Sequence, residues 1–147
     1  MIVRYVIAWL PMVLIGIING VIREQWYGNY LSELSAHQVS TVTGAVLFGL
    51  YIWAISRIWR LESGVQSLSV GFIWLAMTVC FEFFFGHNVA GHPWSRLFHD
   101  YNILGGRIWG LLLAWISVAP YVFYRFRKVL DEGGEEIING TNSYHRR

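Results

Sequence analysis

Cysteine is almost missing from this chain. The single residue, Cys80, sits inside an apolar run, which excludes an intrachain disulfide, a CxxC redox pair and a multi-cysteine metal site. Charge is scarce too, at 14% of 147 residues, with a formal net charge of +2. That balance is too small, and too free of any basic stripe interleaved with exposed aromatics, to point to a nucleic-acid partner. No internal repeat stands out, so an inverted-repeat transporter core is unsupported.

What is abundant is apolar sequence: 55% hydrophobic and 17% aromatic residues, with a positive mean hydropathy. A composition so far from that of soluble domains points to lipid as the solvent. Four apolar stretches are long enough to cross a bilayer, which takes about 20 residues at a rise of about 1.5 Å each. They cover about residues 2–22, 38–56, 68–85 and 103–124. The first has a minimal n-region with one arginine and no small-residue cleavage site after it, so it is expected to be a retained anchor, kinked at Pro11, and not a signal peptide. The expected fold is all-α: a polytopic membrane protein with four transmembrane helices in a bundle, occupying residues 1–130. Residues 131–147, charged and Gly-rich without apolar periodicity, are expected to form a short disordered cytoplasmic tail.

Basic residues set the expected orientation. Arg4, Arg57, Arg60, Arg125, Arg127, Lys128, Arg146 and Arg147 would share one side, against Arg23, Arg96 and Arg107 on the other. Eight against three places both termini on the cytoplasmic side. The first and third connections, with His37, His87, His92 and His99, would then face outward. Trp26, Tyr27, Tyr30 and Trp94 would mark the outer interface, and Trp53, Trp59, Tyr121 and Tyr124 the inner one. Small residues one turn apart, at Gly16 and Gly20, Ser40 and Gly44, Ala45 and Gly49, and Gly106 and Gly110, would let helices pack closely.

All four spans bring polar residues to the outer third. Glu82 lies about one turn inside the end of the third span, and Arg107, four residues into the fourth, is expected at the same depth and paired with it. An unpaired charge at the bilayer centre costs on the order of 2.5–3.5 kcal/mol on insertion scales. Asn19 comes from the first span, and His37, Ser40 and Thr41, at i, i+3 and i+4, share one face of the second. A polar pocket open to the outside is one reading. A lock between helices is the other, though such contacts contribute only about 0.6 kcal/mol each.

In the third connection, His87, His92, His99 and Asp100 offer nitrogen and oxygen ligands for a divalent metal. The spacing is loose, however: His87 and His92 are separated by Gly91 and followed by Pro93, which is not a helical i, i+4 pair. A haem between His37 and His87 is geometrically conceivable without being specified. Ser95, near His92, His99 and Asp100, has the residue types of a catalytic triad, but sequence proximity is no evidence of its geometry.

The runs FEFFFGH, Trp94 with Leu97, His99-Asp100-Tyr101-Asn102 and Gly106-Arg107-x-Trp109, with a weaker echo in Glu33-Leu34-Ser35-Ala36-His37, resemble small four-helix bacterial membrane proteins. That resemblance implies a bacterial inner-membrane location, and it carries neither an activity nor catalytic residues. The leading expectation is a small integral membrane protein, embedded in the lipid bilayer, that binds a small lipid-soluble ligand or a membrane-protein partner through the outer polar cluster. An accessory subunit of a membrane complex belongs to this class. The alternative is a membrane enzyme or cofactor carrier, with a metal, haem or quinone, acting on a lipid-soluble substrate at the outer leaflet.

Overall fold

The computed structural model describes residues 2–144, with side chains from 3 to 134. All regular structure among them is helical. Helices α1 (Ile2–Gln25), α2 (Glu33–Ile58), α3 (Gly64–Phe84) and α5 (Trp109–Tyr144) are long, and α4 (Trp94–His99) is a short helix between the last two. The four long helices are apolar enough and long enough to cross a membrane. Each alternates in direction with the one before it, so the ends of α1 and α3 and the starts of α2 and α5 lie at one end of the bundle. That end also carries α4 and two 3₁₀ turns, Tyr27–Asn29 and Ile103–Gly105. In sequence order the helices do not simply neighbour one another. Packing runs α1–α2–α5–α3 and back to α1, which closes a ring in which α5 is the most extensively packed member.

Side chains at the centre are large and fully buried: Val70 and Trp74 on α3, Ile52 on α2, and Leu112 and Ile116 on α5. The outside is the reverse of a soluble bundle. Ile7, Leu10, Leu14 and Ile18 form an exposed stripe on α1, and Val39, Val42, Val46, Leu50 and Trp53 do so on α2. An apolar surface of this extent is normally covered, and it suits a lipid environment.

Between helices, long aromatic donors reach backbone carbonyls of their neighbours. Trp74 Nε1 donates to Tyr5 O (2.6 Å), the Tyr51 hydroxyl to Ala8 O (2.7 Å) and Trp115 Nε1 to Ala45 O (3.2 Å). Carbonyls in a helix keep a second lone pair, so these bonds join helices without breaking either ladder. At the far end, Arg127 donates to Ser56 O and Leu61 O and ties α5 to the short α2–α3 connection. Trp59, expected as an interface anchor, is instead partly buried against the core and accepts the Tyr5 hydroxyl on its carbonyl.

Two boundaries differ from the expected spans. Pro11 lies within α1 without ending it. The fourth span begins at Trp109, not at 103, because Gly106 adopts a left-handed conformation (φ +82°) that closes the 3₁₀ turn and forbids a continuous helix. Gly106 and Gly110 are therefore not a helix-packing pair. α5 also continues as helix to Tyr144, through residues whose composition suggests a tail; a helix once formed propagates one bond per residue, and a Lys128–Glu132 pair at i, i+4 supports it. Residues 145–147 lie outside the described residues.

Close approach of α3 and α5 depends on Gly71, where any Cβ would collide with the backbone carbonyl of Ser117. Gly71→Ala is expected to lower stability by about 1–3 kcal/mol, the usual cost of overpacking. Gly20→Ala, with no atom within 4 Å of the added carbon, should not lower it and should raise it by up to about 1 kcal/mol, the usual helix preference for alanine over glycine. Thermal unfolding of the two variants in detergent micelles checks the contrast.

Candidate functional site

The capped end of the bundle encloses a cavity of about 450 Å³ to which all four long helices contribute. Its floor is apolar, formed by Met12, Phe48, Leu112 and Ile116. Its wall carries Trp9, Phe81 and Phe83, and its mouth Arg23, Glu24, His37, Arg96 and Asp100. Two local features make the space. Gly16 and Gly20 remove side chains from the α1 wall, and at Gly20 a Cβ would meet nothing. On the opposite wall α3 widens at Phe85–Val89 into a π turn, a form that recurs at functional sites. Gly86 in that turn packs so closely on Leu97 that a Cβ there would lie 2.6 Å from its methyl, which seats α4 over the cavity.

Glu82 stands between floor and mouth. Its Oε2 accepts two bonds, from the Tyr101 hydroxyl at 2.6 Å and from Trp109 Nε1 at 3.0 Å. Its Oε1 is buried and has no partner among the described residues. Burial, then the neighbouring Glu82 carboxylate, push the Tyr101 phenol above the ordinary tyrosine range, so it stays a donor at any physiological pH.

The expected pairing of Glu82 with Arg107 does not form. Because Gly106 ends the preceding turn, Arg107 precedes α5 and does not lie a turn inside it. Its guanidinium turns to the cap, with Nη1 donating to Asp100 Oδ1 (2.6 Å) and Nη2 to Glu33 Oε1 (2.9 Å). Arg107 thus ties the third connection to the start of α2, helped by Gln38 Nε2 donating to Gly106 O (3.0 Å). Glu82 is left with neutral donors alone.

The other expected residues divide. Asn19 and Ser40 meet, Asn19 Nδ2 donating to Ser40 O (2.7 Å) and Oγ (3.1 Å), and both border the cavity. Gly44 allows that contact, since a Cβ there would sit 3.2 Å from Asn19 Nδ2. Thr41 bonds its own helix, at His37 O, and takes no part in the cavity wall. His37 lines the mouth, with Nδ1 3.4 Å from Arg23 Nη1.

The four candidate metal ligands do not converge. Among the described residues, no three His, Cys, Asp or Glu side chains form a group able to hold a metal. His87 stacks on Trp94 with ring centroids 4.1 Å apart and bonds His92 O through Nδ1, so its ring serves the cap. Asp100 is committed to Arg107. Nor does His87 join His37 at the cavity, as a shared haem would require.

Tyr101, Trp109 and Arg96 are the site residues that residue patterns alone did not single out. Tyr101 and Trp109 are aromatic, and nothing in an aromatic's spacing reveals that it spends its polar atom on a carboxylate from another helix. Comparison of the chain with protein-family models, with curated proteins and with solved structures finds no match.

The Tyr101–Glu82 bond and the separation of Glu82 from Arg107 yield opposite couplings. Tyr101→Phe should cost about 1–3 kcal/mol by stripping a buried carboxylate of a donor, and almost nothing once Glu82→Met is present. Arg107→Ala and Glu82→Met should instead add to within about 0.5 kcal/mol. Chemical unfolding of the single and double variants in mixed micelles measures both.

Proposed function

We propose that this protein is a non-enzymatic integral membrane protein that binds a small lipid-soluble amphiphile in the cavity at the capped end of its bundle. One observation carries the reading: a cavity large enough for a small molecule, apolar at its floor, is lined by Glu82, whose Oε1 has no hydrogen-bond partner among the described residues. Ligand sites combine an apolar lining with a few convergent polar groups in this way. A carboxylate that only locked helices together would be expected to spend both oxygens on protein donors, since an unpartnered buried acceptor costs about 1–3 kcal/mol. Here Tyr101 and Trp109 fix one oxygen and leave the other without a donor among the described residues. The apolar body of that guest would lie against Met12, Phe48, Leu112 and Ile116, and its polar end at Glu82.

The protein is further proposed to lie in a cell inner membrane with both termini in the cytoplasm. Arg4, Arg57, Arg60, Arg125, Arg127 and Lys128 gather at the end away from the cavity, which supports that orientation and turns the cavity mouth outward. A reporter fused to the C-terminus should then be active only in its cytoplasm-reporting form; an extracytoplasmic signal would reverse the orientation.

Gly20→Leu tests the binding itself, because Gly20 lines the cavity and a Cβ added there meets no atom within 4 Å, so the longer side chain starts in open space on the cavity wall. Native mass spectrometry of the protein, extracted gently from membranes, should show an added small-molecule mass on the unaltered chain and lose it in Gly20→Leu at unchanged melting temperature. Equal masses for both, free of any adduct, would contradict the reading.

A further inference from the structure

The geometry around Glu82 points to the chemical class of the ligand: we propose that the cavity takes a cationic amphiphile, an apolar chain or ring system ending in a protonated amine. This rests on the reading of the cavity as a ligand site and goes beyond it by naming what the site recognises.

The first support is the bonding of Glu82. Two donors converge on its Oε2, one of them an O–H at 2.6 Å. Both donors are neutral, and none of the described ion pairs includes Glu82. The carboxylate is therefore without a counter-charge among the described residues. The most favourable complement to such a group is a cation that also donates a hydrogen bond.

Of the charged groups in the lining, Glu24 pairs with Arg23, Asp100 pairs with Arg107 from outside the lining, and Arg96 stands with them at the mouth. Glu82 is the carboxylate of the lining that none of the described ion pairs includes.

Aromatic rings supply the third support. Trp9 meets Phe81 edge to face at 5.9 Å, Phe81 stacks on Phe85 at 5.3 Å, and all three line the cavity. Electron-rich faces attract an ammonium group, the more so when it is desolvated. A carbonyl-ended guest would gain from none of these features, and an alcohol only from the hydrogen bond.

The test uses the full chain in nanodiscs of zwitterionic lipid. Radiolabelled dodecylamine is bound, and unlabelled dodecylamine, dodecanol and 2-dodecanone compete for it; signal remaining in Gly20→Leu measures partition into lipid and is subtracted. The expected result is that dodecylamine competes at least about tenfold better than dodecanol, with the ketone weakest, as an added ion-pair contribution at a desolvated site implies. In Glu82→Gln, which keeps the side chain's shape, the preference of amine over alcohol should fall to about twofold. The head-group series on the unaltered protein decides the matter even if that variant fails to fold. Equal competition by amine and alcohol, or a win by the ketone, overturns the cationic assignment while the cavity remains a ligand site; a winning ketone would mean that Glu82 is protonated and donates. Specific binding of none of the three, with no difference between the unaltered chain and Gly20→Leu, overturns the ligand-site reading as well.

Discussion

A carboxylate set among apolar helices has to find its donors within the protein, because lipid offers none. Glu82 obtains two, and both come from segments that must be brought to it: Tyr101 from the third connection and Trp109 from the first turn of α5. That requirement organises one end of the molecule. The π turn at Phe85–Val89 redirects the chain after α3, α4 packs Leu97 on Gly86, and the left-handed Gly106 delays the start of α5 until Trp109 faces Glu82. A second polar tie, Arg107 with Asp100 and Glu33, lies above the first and closes the cap on α2. The cavity is what remains beneath this cap, where Gly16 and Gly20 withhold side chains.

The two ends of the bundle are built on different principles. Away from the cavity, Tyr5, Trp74, Tyr51 and Arg127 spend their polar atoms on backbone carbonyls, and Val70 and Ile52 fill the space between helices. Every such donor is satisfied, and the packing is tight enough to require glycine at position 71. Toward the cavity two buried polar atoms, Glu82 Oε1 and the Tyr27 hydroxyl, have no partner among the described residues, and the aromatic rings line a space instead of filling it. A rigid end supporting an open end is a suitable arrangement for a site that must hold its shape without a guest.

Apolar run length made the four spans legible in the sequence, since crossing a bilayer imposes a length and composition that few other structures need. Glu82 was legible for a related reason: an ionisable residue in such a run has no cheap explanation. The partner of Glu82 was not. Placing Arg107 at its depth assumed that the fourth helix began where hydropathy rises, at 103, whereas Gly106 interrupts the backbone and lifts Arg107 into the cap. Hydropathy is blind to a left-handed residue. Likewise, Asn19 and Ser40 could be assigned to one polar layer from their depth, but Thr41, on the same helix face by spacing, turned to its own backbone at His37, as Thr hydroxyls in helices often do. The metal reading failed on distance: four ligand-type residues close in sequence were dispersed by the π turn and by the demands of Trp94 and Arg107.

The central claim is that the cavity takes a guest whose polar end bonds Glu82. It is tested most directly by determining the structure of the protein extracted with its surrounding lipid, at a resolution that shows individual side chains. The account predicts elongated density in the cavity, with a polar atom at hydrogen-bonding distance from Glu82 Oε1 and an apolar portion running to Met12, Phe48 and Leu112. A cavity filled by the protein's own side chains, with both oxygens of Glu82 bonded to protein donors, would contradict it.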